Sequence, residues 1–147
     1  EQMLAPIAEV VGEVYAWDAG ERRWRHYSPS VPSYVNTLTE VHASWGLWLS
    51  VAEDTVLTVN GSGTSKYSTS LTPGWNLVGY PGATTQPVDQ ALEPVLGQVQ
   101  AVFGYASSSW QVYDPNGSPD ANTLTEMRPG KAYWVRALAP CRWSASD

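Results

Sequence analysis

The sequence predicts a mainly β protein in which one unit of short helix, hairpin and long strand occurs twice, and three observations carry that prediction. The stretch Asn36-Thr-Leu-Thr-Glu40 returns as Asn122-Thr-Leu-Thr-Glu126. The same shift of 86 positions pairs Trp24 with Trp110, Tyr27 with Tyr113, Pro29 with Pro115 and Trp48 with Trp134, without a gap. Between Gly- and Pro-rich punctuation, large and small side chains alternate at the period of a strand. At 147 residues, 43% apolar and 15% charged, the chain fits one domain able to bury a core. The expected architecture is a pseudo-twofold duplicated small barrel or sandwich with one short helix per copy. Copy one is placed at 1–73 and copy two at 74–147, with matched apolar faces closing on a shared core.

Each element follows from local pattern. Leu4, Ile7, Ala8 and Val11 have the spacing of an amphipathic helix, and Leu92, Val95, Leu96 and Val99 repeat it. Pro6 and Pro94 fall inside these segments and remove an internal hydrogen bond, so each helix is expected to be kinked or split. Val14-Tyr-Ala-Trp17 and Val102-Phe-Gly-Tyr105 read as strands. Turn residues 18–21 and 106–109 join them to Trp24-Arg-His-Tyr27 and Trp110-Gln-Val-Tyr113, a hairpin in each copy. A proline-punctuated loop then leads to the repeated Asn-Thr-Leu-Thr-Glu, whose Asn is expected to cap nearby backbone.

The next strand should turn Leu47, Leu49 and Val51, or Tyr133, Val135 and Ala137, to one face. The small residues Gly46 and Ala132, two before each Trp, are expected to leave room for an indole along the strand. Copy one continues through Thr55 to Asn60, a Gly61-Ser-Gly63 turn and Lys66 to Leu71, reaching the strand Trp75-Asn-Leu-Val-Gly-Tyr80.

Gly74-Trp-Asn-Leu-Val-Gly-Tyr-Pro81, a short helix, a Tyr-rich hairpin, an Asn-x-Leu stretch and Lys131-Ala-Tyr-Trp-Val135 together resemble an uncharacterised β-repeat module. Its copies carry a Gly-Trp-Asn-Leu strand and a Gly-Tyr-Trp-Val-like strand, in long secreted or surface proteins of Chloroflexi and other environmental bacteria. The resemblance implies an extracellular or cell-surface location and carries no activity. Copy one departs from the pattern, with Gly46-Leu-Trp-Leu49 and no leading Gly-Trp-Asn-Leu strand, which suggests that residue 1 lies inside a longer precursor.

Composition narrows the partners. Fourteen acidic against eight basic side chains give a net charge of −6, which disfavours nucleic acid and anionic membranes, since both need clustered Lys and Arg. No apolar run reaches the roughly 20 residues of a membrane span. Eight Trp and eight Tyr against one Phe favour rings with a polar edge. The lone Cys141 excludes an internal disulfide.

Rings present in both copies are explained by the shared backbone, which directs attention to the unmatched ones: Tyr34, Trp45, Tyr67, Trp75, Tyr80 and Trp143. Of these Trp75 belongs to its strand, while Tyr34 and Trp45 flank the repeated stretch of copy one and form a candidate stacking platform. Arg22 and Arg23, in the longer hairpin loop, are candidates for an anionic ligand. Their alternative is a solvated turn paired with carboxylates. Asp114, Asn116, Ser118 and Asp120 place oxygens at alternate positions, a weak match to a calcium loop because the glycine and bidentate Glu are misplaced. His26 and His42 lack companions at metal spacing. No nucleophile elbow or phosphate loop occurs, and no cofactor is expected.

These readings make the chain a non-catalytic module for adhesion, assembly or spacing, with a protein or glycan partner. A carbohydrate-binding module is the first alternative. The second is an accessory subunit whose unpaired strand edge a neighbouring chain completes.

Overall fold

The computed structural model describes residues 2–59 and 68–144. The Gly61-Ser-Gly63 turn and Tyr67 lie outside the described residues. Strands make up 42% of the chain and helical turns 16%, so the protein is mainly β, with every strand pairing antiparallel.

In the N-terminal half β1 (Val11–Asp18) pairs with β2 (Arg23–Tyr27) and β3 (Leu47–Val51), in the order β2-β1-β3. The C-terminal half adds the short strands β4 (Ser68–Leu71) and β6 (Gln86–Pro87), with β5 (Gly74–Gly79) between them. It continues through β7 (Val99–Ala106), β8 (Ser109–Tyr113), β9 (Glu126–Met127), β10 (Ala132–Ala137) and β11 (Cys141–Ser144). Its main sheet runs β5-β10-β7-β8, and β11-β4 and β6-β9 form two-stranded ribbons.

The two hairpins share one register: Val14 faces Tyr27 and Trp17 faces Trp24, as Val102 faces Tyr113 and Tyr105 faces Trp110. A register shift lies between Val11 and Glu13 opposite β3, and another between Ala101 and Val99 opposite β10. The loops differ. Ala106 pairs directly with Ser109 across Ser107-Ser108, both at positive φ, which is the backbone twist a two-residue hairpin demands.

The recurring Asn-Thr-Leu is a clamp on the end of each hairpin. Asn36 Oδ1 accepts from the Ser28 N–H at 2.9 Å and Asn122 Oδ1 from the Asp114 N–H at 2.8 Å. Each Asn amide donates back to the carbonyl of the same residue. Thr37 and Thr123 accept from the His26 and Val112 N–H groups, and the backbones of 37–38 and 123–124 return bonds to the same two residues. Leu38 and Leu124 then plug the cores. Asn122→Ala removes both side-chain bonds from a partly buried site, so it should cost about 1–3 kcal/mol. Urea unfolding of the variant measures the loss, and a midpoint within error of the parent would mean that the clamp contributes nothing.

The helical segments are short, and the second is split as its proline leads one to expect, but most of their turns are 3-10 rather than α. Gln2–Ile7 is a 3-10 helix containing Pro6, and Val88–Leu92 is a short helix, α1, that gives way to a 3-10 helix at Glu93–Gln98. Leu4, Ile7, Leu92 and Val95 are buried, whereas Ala8 and Leu96 are exposed. With three residues per turn, positions i and i+3 share a face and i+4 swings about 120° away.

The expected shared core and closed barrel do not form. Leu4, Ile7, Val11, Val14, Ala16 and Leu38 make one cluster, and a separate, larger one is centred on Leu92, Val102, Met127, Val135 and Trp143. Each sheet covers its apolar face with its own helical segment and Leu plug, so the opposite, ring-bearing faces are the ones that meet. Between the halves, β5 is hydrogen-bonded to β10 on one edge. Its other side carries Gly46 N–H to Leu77 O at 3.1 Å and Gly79 N–H to Ser44 O at 3.0 Å. Gly46 is small for this seam rather than for an indole, because a Cβ there would sit 2.7 Å from that of Ala132.

Candidate functional site

Strand alternation gives each sheet a face of rings. Tyr15 and Trp17 on β1 lie across from His26 and Trp24 on β2, with Trp48 opposite Tyr15 on β3. Phe103 and Tyr105 on β7 lie across from Val112 and Trp110 on β8, with Trp134 opposite Phe103. The faces interlock reciprocally. Trp134 receives Trp17 and Trp24 at centroid distances of 6.1 and 5.6 Å, while Trp48 receives Tyr105 and Trp110 at 5.4 and 5.7 Å. The pairs are edge-on or tilted, the arrangement that brings a positive ring edge to a negative face.

Trp75, Phe103, Trp110 and Trp134 enclose an open concavity of about 590 Å³. Trp75 meets Phe103 and Trp134 edge-on, its backbone carbonyl accepts from Trp17 Nε1 at 2.8 Å, and the Arg136 guanidinium lies 5.6 Å above its ring. The cation over the indole is attracted by the π face and marks the rim with positive charge. Trp110 is 52% exposed, and Trp24, Trp75 and Tyr105 are also solvent-open. A contiguous exposed patch of this kind is unusual on a protein that stands alone. Its chemistry is apolar and aromatic contact, with few polar groups to direct a ligand.

Exposure does not follow recurrence: the recurring Trp24 and Trp110 are exposed, and among the unmatched rings Tyr34 and Trp75 are exposed too. Trp24, Trp110 and Trp134 lie along the groove, whereas the unmatched Trp143 and Tyr80 are fully buried. Sequence reasoning missed the groove because recurring rings are explained by the shared backbone, which directs attention to the unmatched ones. The available signal was a large ring at every second position on strand faces that ordinarily carry polar residues.

The named candidates are dispersed. Tyr34 stands 87% exposed on the 3-10 turn Ser33–Val35 and touches no other ring among the described residues. Trp45 is half-buried against the first core, stacks edge-on with His42 at 4.8 Å and bridges to Val78. Arg23 pairs with Glu21, and Arg25 with Asp18 at 3.0 Å and Glu21 at 2.6 Å, so carboxylates answer these hairpin arginines. Arg22 sits at positive φ in the loop. Asp114 Oδ1 accepts from the Asn116 N–H at 2.8 Å, closing the turn itself. Asn116 and Ser118 lie exposed in that loop, and Asp120 in the turn Pro119–Ala121. Among the described residues no three His, Cys, Asp or Glu side chains gather as metal ligands.

His26 Nε2 contacts the Glu13 carboxylate and its ring stacks on Tyr15, so this histidine is tied into the sheet. Burial pushes the Cys141 thiol up, away from the reactive thiolate. The hydrogen bond from His26 lowers Glu13, and the Glu21 backbone N–H, helped by Arg25, lowers Asp18. A carboxylate lowered on folding stabilises the protein above its unfolded value, and that contribution disappears as pH falls through the lowered folded value. The urea midpoint should therefore drop as pH falls below about 4.5, and Asp18→Asn should flatten that drop. An unchanged profile in the variant would remove Asp18 from the account.

Comparison with protein-family models, curated proteins and solved structures gives no match to this chain in any of the three.

Proposed function

We propose that the protein is a non-catalytic module of a secreted or cell-surface protein, composed of two copies of one unit and acting in adhesion or assembly through its aromatic groove. The observation that carries this reading is the open row of Trp24, Trp75 and Trp110 around Trp134, apolar area left in water where a partner would cover it. The two-copy reading is supported by the common hairpin register, the common register shift and the twin Asn clamps. Net charge and the carboxylate-paired arginines argue against nucleic acid.

The test is retention on bacterial cell-envelope fractions. Wild-type protein should be retained, and a Trp75→Ala/Trp110→Ala variant should lose retention by at least tenfold with its cooperative urea unfolding transition preserved. Equal retention of both proteins, or turnover of ester, glycoside or peptide substrates by the wild type, overturns the reading.

A second reading, a carbohydrate-binding module, is favoured by the exposed indoles of Trp75 and Trp110, on which the apolar face of a sugar can stack. It moves the candidate platform from Tyr34 and Trp45 to the groove. Soluble β-linked oligosaccharides should then quench tryptophan emission saturably, and no quenching at millimolar concentration sinks it.

A further inference from the structure

The two halves are unequally finished. In the C-terminal half β5 covers one edge of β10 and β4 pairs with β11, and these two strands, consecutive in the chain but in different sheets, send Leu71 and Val78 into the core. In the N-terminal half β3 occupies the place of β10, yet it pairs only with β1 among the described residues. The burial difference follows. Val51 is 40% exposed where Ala137 is 3%, and Leu47 and Leu49 are half-exposed where Tyr133 and Val135 are buried. Leu57, at the position of Trp143, is only half-buried, and its neighbour Val56 is 82% exposed.

This seat, which no described strand fills and which Leu57 and Val59 border, has the lining that β5 itself uses. β5 lies against β10, against residues 44–46 and beside Trp17. A concavity of about 430 Å³ is bordered by Gly46 to Leu49, by Gly130 to Ala132 and by Tyr105, the residues at matching positions in the opposite half. Its edge strand, Leu-Trp-Leu-Ser-Val, carries no charge, proline or other device that protects an edge from pairing.

We propose that the edge of β3 that no described strand pairs is an acceptor for a segment of the β4–β5 pattern, contributed by a neighbouring unit of the same type. The incoming Gly-Trp-Asn-Leu-Val-Gly strand runs antiparallel to β3 in the register β5 has on β10. Its Leu faces Trp48, its Asn faces Leu49 and its first Gly faces Val51. Main-chain hydrogen bonds supply affinity and the alternating apolar residues fill the underpacked first core. The inference rests on reading the halves as two copies of one unit; Phe103, Trp110 and Trp134 border this seat as well as the groove, and Val51, which lines neither, is the position that separates the two.

The test is a synthetic peptide with the sequence of residues 68–81, added to the intact protein. Calorimetry should show one peptide per chain, and at 100 times the Kd the melting temperature should rise by about 9 °C. Amide exchange should slow at residues 47–51. Val51→Lys, which charges the exposed edge, should weaken peptide binding at least tenfold while leaving retention on envelope fractions at the wild-type level. A peptide carrying Val78→Pro should not bind, because in this register the Val78 N–H lies on the ladder side of the strand, opposite to the backbones of Leu77 and Gly79, and proline cannot donate there. Absence of binding by the parent peptide, protection confined to β10 through displacement of β5, or equal binding to the Val51→Lys variant each overturns the proposal.

Discussion

Replacing Trp143 by alanine is expected to destabilise the protein by about 3–5 kcal/mol, the cost of emptying a fully buried aromatic site. This indole is the one of the eight with no exposed surface. It donates from Nε1 to the Ala91 carbonyl at 2.8 Å and lies 6.0 Å from the Tyr80 ring, so it joins β11, α1 and the segment after β5. Natural domains have only about 5–15 kcal/mol to lose, and the variant should be partly unfolded on warming. Trp143→Phe separates the contributions. It keeps a ring but strands the Ala91 carbonyl, and should cost about 1–3 kcal/mol. Urea midpoints rank the two, and a loss below 1 kcal/mol in the alanine variant would mean that the second core is not built around this residue.

The second large effect is at Asn76, a buried polar side chain inside a sheet strand. Its Oδ1 accepts from the Thr72 N–H at 2.9 Å, and its Nδ2 donates to the carbonyls of Thr72, Gly74 and Val135 at 2.8, 3.0 and 3.3 Å. The amide thus closes the turn at positive-φ Gly74 and ties it to β10. Asn76→Ala leaves several backbone groups without partners and should cost about 2–4 kcal/mol. Asn76→Asp keeps the shape and the acceptor but aims a carboxylate at three carbonyls, so at neutral pH it should be no better than alanine and should recover on acidification. Equal stability of all three proteins would remove the amide from the account of the turn.

The strands were legible because a period of two leaves no ambiguity about faces: Tyr133, Val135 and Ala137 are buried and Arg136 is exposed, as their alternation requires. The role of Asn36 and Asn122 was also legible, since an Asn before Thr-Leu has few uses other than bonding local backbone. The helices were misread because α and 3-10 turns share the i, i+3 contact and differ only at i+4, the position of Ala8 and Leu96. Pairing of β4 with β11 joins residues some 70 apart through plain side chains, and nothing local announces it. The groove is not legible, because its rings recur, which the shared backbone explains, while the strand faces bearing them are turned away from both cores.

The interlocked indoles have an optical consequence. Trp17, Trp24, Trp75 and Trp134 succeed one another at centroid separations of 5.4 to 6.2 Å in skewed orientations. Transition dipoles that close and that oblique couple, so the far-ultraviolet dichroism of the folded protein should carry a bisignate aromatic band over its weak β signal. A helix content fitted from that spectrum would be in error, and the band itself would report whether the two halves are seated on each other.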